Sequence, residues 1–91
     1  MMTQKIEISS EVLTQEVGGE TVILDLKSES YFGLDEVGTR IWQLLQEQEN
    51  IQTIIATMLN EYDVKEDQLE KDIQNLLTKL NKAGIITFDS D

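Results

Sequence analysis

The chain has no cysteine, no histidine and no proline, and Arg40 is its only arginine. Without cysteine there is no disulfide framework, and cysteine usage cannot report the redox compartment. The joint absence of His and Cys removes the commonest general base, the thiol nucleophile and nearly all zinc-site chemistry. No glycine-rich phosphate loop is present, because Gly18-Gly19 reads as a turn and Gly33 and Gly38 flank a helix start. No run approaches the roughly 18 apolar residues of a spanning helix. The start, Met1-Met2-Thr3-Gln4-Lys5, lacks the basic-then-apolar order of a secretory signal. These absences predict a cytoplasmic protein that is not an enzyme, carries no metal or cofactor, and has no membrane partner.

Basic charge is scarce too. Eighteen acidic residues face seven basic ones, a net charge of −11. Phosphate backbones are held by Lys and Arg, so the chain has the wrong sign for nucleic acid and for anionic membrane surfaces. The acidity itself serves solubility. Glu61, Asp63, Glu66, Asp67 and Glu70 lack the spacing and central glycine of a calcium loop, and read as a solvated helix start. Carboxylates abound, but nothing in the sequence concentrates a pair of them in a pocket.

At 91 residues with 40% apolar content, the chain is one domain, residues 1–91, with a modest core. Ile6 and Ile8 alternate with Glu7 as a short strand. Segments 11–17 and 20–26 flank Gly18-Gly19, a strong hairpin signal that pairs Val17 with Glu20, Gln15 with Val22 and Leu13 with Leu24. That register gathers Leu13, Val17, Val22, Leu24 and Leu26 on one face, expected to be the buried one, and puts Ile23 with Thr14, Glu16 and Asp25 on the other.

A polar turn and a short extended piece, 31–34, lead to Asp35, a good N-cap for a helix over 36–47. Asn50 caps a second helix carrying Ile51, Ile54, Ile55, Met58 and Leu59. Asp63 with Glu66 resembles a capping box for a third, with the stripe Leu69, Ile73, Leu76, Leu77 and Leu80 and Gly84 at its end. Residues 85–88 suggest a last strand. The fold predicted is α+β and winged-helix-like: an N-terminal β-hairpin or three-stranded sheet followed by a three-helix bundle.

That order raises two functions. A winged-helix DNA-binding regulator would place the third helix in the major groove. Here that helix balances Lys65, Lys71, Lys79 and Lys82 against Glu66, Asp67, Glu70 and Asp72, with no arginine for guanine edges. Alternatively, the strand 21–26, apolar on both faces, offers an edge to an extended peptide. A third strand from residues 31–34, or the N-terminal strand, would cover that edge instead.

The stretch VILDLKSESYFGLDEVGTRIWQLL, residues 22–45, resembles the PqqD-like family through Tyr31, Phe32, Gly33, Leu34, Asp35, Gly38, Ile41 and Trp42. The likeness continues through Asp72, Leu80 and Gly84. It implies a small domain that binds the leader segment of a ribosomally made precursor peptide and presents it to a modifying enzyme or leader protease, recruited in trans. It further implies that the leader adds to Thr21, Val22, Ile23, Leu24, Asp25 and Leu26 and packs on the third helix near Asp72, Leu76 and Lys79. Phe32 and Trp42 would then build the core beneath the strand. An interaction subunit with no leader-peptide role is the other expectation. The unusual acidity suggests a basic leader or a basic enzyme.

Overall fold

The computed structural model describes residues 4–47 and 50–90. Its elements run β1 (Gln4–Ile8), β2 (Val12–Val17), β3 (Glu20–Asp25), β4 (Ser30–Leu34), α1 (Glu36–Gln46), α2 (Ile51–Glu61), α3 (Glu66–Lys82) and β5 (Ile86–Ser90). β1 and β5 form an antiparallel pair, and β2-β3-β4 form an antiparallel sheet with β3 in the middle. The α+β architecture expected from the sequence is the one observed.

The Gly18-Gly19 turn sets the hairpin. Both glycines hold positive φ, 61° and 84°, where a side chain would be strained, and the pairs Val17↔Glu20, Gln15↔Val22 and Leu13↔Leu24 form as counted. The face that is buried is the opposite of the one expected. Thr21, Ile23 and Asp25 are inside, whereas Leu13, Val17, Val22 and Leu26 are exposed. The cause lies in the next strand. Leu34 and Phe32 run directly into α1 and must face it, and they pair with Thr21 and Ile23. Burying that row forces the leucines and valines of the hairpin outward, because side chains alternate between faces. Asp25 tolerates burial as a turn builder: its Oδ1 accepts from the Lys27 N–H at 3.1 Å and its Oδ2 from the Ser28 hydroxyl at 2.8 Å.

Helix ends follow local chemistry. Asp35 Oδ1 accepts from the Gly38 N–H at 2.8 Å, and Asn50 Oδ1 from the Thr53 N–H at 2.7 Å. The capping box expected at Asp63 does not form. α3 starts two residues later than that cap requires, with Lys65 at the N-cap position and no side-chain cap, while Glu66 and Asp67 complement the helix dipole. Its far end closes as expected: Gly84 takes φ 78°, and Ile85 N–H bonds the Leu80 carbonyl at 2.9 Å, a Schellman ending with Ile85 and Leu80 both buried.

The core joins all layers. Ile23 and Leu34 from the sheet meet Ile41, Trp42, Leu44 and Leu45 of α1. Ile54 and Met58 of α2, Leu69, Ile73, Leu77 and Leu80 of α3, Ile85 just before β5 and Ile86 at its start complete it. Leu76, of the expected α3 stripe, is half-buried and packs against the edge of this core. A polar chain also ties the layers: Arg40 makes a bidentate bond to Glu61, both contacts 2.8 Å, and also bonds Gln43, whose amide reaches Glu16 on β2.

Candidate peptide-binding groove

Thr21 to Asp25 lie in the sheet's central strand, bonded to β2 on one side and to β4 on the other. Leu26 opens the following turn, its N–H given to the Glu11 carbonyl at 2.9 Å. No added strand can pair with Thr21, Val22, Ile23, Leu24, Asp25 or Leu26, so the expected edge is corrected. The segment 31–34, one of the two coverings the sequence offered for that edge, is the strand that takes it.

β2 and β4 are the two edges of this sheet, and the β4 edge is the one beside α3. In a two-residue hairpin the closing pair exchanges both main-chain bonds, so Val17 and Glu20 face each other's backbone. Alternation along β3 then turns the main-chain groups of Val22 and Leu24 toward β2, and those of Thr21, Ile23 and Asp25 toward Leu34, Phe32 and Ser30. Tyr31 and Gly33 are left with N–H and C=O pointing away from the sheet. No described strand lies along that outer edge.

Beside this edge runs a groove of about 900 Å³. Its apolar floor comes from Phe32 and Leu34 of β4 and from Val37 and Ile41 of α1. Its far wall is α3, through Asp72, Asn75, Leu76 and Lys79, which recur at helical spacing on one face. At its base α1 meets β4 closely: a Cβ on Gly38 would sit 3.3 Å from Leu34 Cβ and 3.2 Å from Asp35 Oδ1. The glycine lets the helix start nest against the strand end. The three α3 residues expected from the sequence therefore line one site. Tyr31, Phe32, Gly33 and Leu34 join them, and the alternation of Phe32 with Leu34 after a hairpin-length polar turn was the signal for a third strand there. Phe32 is half-buried at the groove; Trp42 alone of the two expected aromatics is wholly in the core.

A model of the coenzyme PQQ synthesis protein D (PqqD) family matches residues 20–86. The chain belongs to the PqqD family. Among solved structures it is similar to TbiB1 in complex with the TbiA(beta) leader peptide, at 35% identity and a TM-score of 0.84, over 88% of this chain and 93% of that one. It also shares the fold of lasso peptide synthetase B1 complexed with the leader peptide, at 24% identity and a TM-score of 0.82, over 90% of this chain and 96% of that one. No curated protein matches the sequence. Among the described residues, no helix is long and apolar enough to cross a membrane, and no group of side chains is arranged to hold a metal ion.

Proposed function

We propose that this chain is a single-domain, non-catalytic recognition element that binds the leader segment of a ribosomally synthesised, post-translationally modified peptide. It presents that segment in the cytoplasm to a modifying enzyme or leader protease, in a pathway of the lasso-peptide or PQQ type. One observation carries the reading: the unpaired main-chain edge of Tyr31 and Gly33 borders an apolar groove walled by α3. An extended peptide pairs its backbone with that edge and lowers alternate side chains onto Phe32, Leu34 and Leu76. The similarity to TbiB1, solved with a leader peptide, supports the binding of such a peptide. Tethering then raises the precursor's effective concentration at the enzyme without any chemistry of the domain's own.

The enzyme needs a surface of its own, and the outer sheet face fits it. Leu13, Leu24 and Tyr31 form one cross-strand row, with Val17, Val22 and Leu26 beside it. Leu13 is 58% exposed and Tyr31 77%, an apolar patch that marks an interaction site. Two copies at −11 each repel, so the occupant is a different protein, with an apolar face and basic surroundings. Tyr31 belongs to both patch and groove, which sets enzyme and peptide side by side.

The test is a titration of ¹⁵N-labelled protein with a synthetic leader segment of a candidate precursor peptide. Shifts concentrated in residues 30–34 and along 72–79 are expected; shifts centred on α2, or none, reject the reading. Alone, the purified chain should neither cleave nor modify the precursor, while accelerating an added enzyme.

A further inference from the structure

Building on the peptide-binding reading above, we propose that Lys79 is a specificity-determining residue, selecting an acidic side chain in the peptide laid along β4. The groove-facing stripe of α3 is anionic at Asp72 and cationic at Lys79, about 10 Å apart along the helix axis. The two carboxylates at the groove already have partners. Asp72 Oδ1 accepts from Gln68 Nε2 at 2.9 Å, and Asp35 Oδ1 caps α1 at the Gly38 N–H. Among the described residues the ion pair formed is Arg40–Glu61, away from the groove, so the ammonium of Lys79 has no carboxylate of its own.

The rest of the molecule gives that cation its meaning. At −11, the chain repels an acidic peptide group almost everywhere it approaches. On the groove wall, Lys79 is the place where such a group is attracted, whereas Asp72 rejects it. The apolar floor accepts many hydrophobic strands, and backbone pairing accepts nearly any sequence. A charge at one end breaks that tolerance and fixes register, because a one-residue slip sends each side chain to the opposite face. A lysine in the last turns also suits the helix dipole, but that role acts on stability and is blind to the peptide's charge.

The experiment selects phage-displayed random peptides on the immobilised full chain, then repeats the selection on Lys79→Glu, Lys79→Gln and Gly33→Pro. Peptides from the parent chain should carry Asp or Glu at a constant offset from their apolar residues. Lys79→Glu should exchange that preference for Lys or Arg and weaken acid-bearing peptides about three- to tenfold, the scale of an exposed charge pair made repulsive. Lys79→Gln, which preserves the stem, should erase the preference with circular dichroism unchanged. Peptides that depend on Gly33 but keep their charge preference in both Lys79 variants would overturn this inference and leave the peptide-binding reading standing. Peptides that bind Gly33→Pro as well as the parent would overturn the peptide-binding reading itself.

Discussion

The two faces of the three-stranded sheet divide their residues against simple expectation. The inner face of β3 presents Thr21, Ile23 and Asp25 to α1, while the outer face presents Val22 and Leu24 beside Leu13 and Tyr31. By composition alone the outer face is the more hydrophobic. It stays open because β4 leads straight into α1, and Phe32 and Leu34 decide which side meets the helices. The lesson is that burial follows connectivity when both faces could be buried, and that the apolar surface left over marks where a partner sits.

The sharpest contrast between the faces is energetic. Ile23→Ala empties a fully buried position and should cost about 2–5 kcal/mol in chemical denaturation. Leu13→Ala, on the exposed face, should stay within about 0.5 kcal/mol. Equal losses would mean that the outer face is packed in solution.

Function should reverse that ranking. Leu13→Glu combined with Leu24→Glu should leave leader affinity intact but lower stimulation of the partner enzyme about tenfold, the loss of one well-buried interface anchor. Stimulation at the parental level would detach the enzyme from this face. In the groove, Leu76→Asp should weaken leader binding by about 1–3 kcal/mol in calorimetry. Because Leu76 is half-buried against the edge of the core, circular dichroism accompanies the titration, and a retained helical signal assigns the loss to the groove.

The smallest effect concerns the polar tie on neither face. The hydrogen bond from Arg40 holds the Glu61 carboxyl below its ordinary value of 4.5. Its stabilising contribution is therefore present at neutral pH and lost as acid protonates the folded carboxylate. Glu61→Gln should lower stability slightly at neutral pH and make it less steep in acid. An unchanged acid titration would show the pair to be energetically silent.

Much of the molecule was legible in the residues. The Gly-Gly turn gave the hairpin register, Asp35 and Asn50 gave two helix starts, and Gly84 gave the end of α3. What stayed hidden were tertiary choices. Turn counting says which residues share a face but not which face meets the helices. It left open whether residues 31–34 would pair with β3, which moves the open edge outward by one strand. The helix side of the site, Asp72, Leu76 and Lys79, was placed through family resemblance. Its strand side had to wait for the sheet order.

The central claim is that a peptide adds to β4, and amide hydrogen exchange tests it at single residues. In the free chain the outward N–H groups of Tyr31 and Gly33 should exchange quickly, while those of Ile23 and Phe32, already in the ladder, are protected. Saturating leader peptide should protect Tyr31 and Gly33 together and leave the β2 edge at Val12, Thr14 and Glu16 unchanged. Protection appearing on that β2 edge instead, or Tyr31 and Gly33 exchanging as before, would contradict the account.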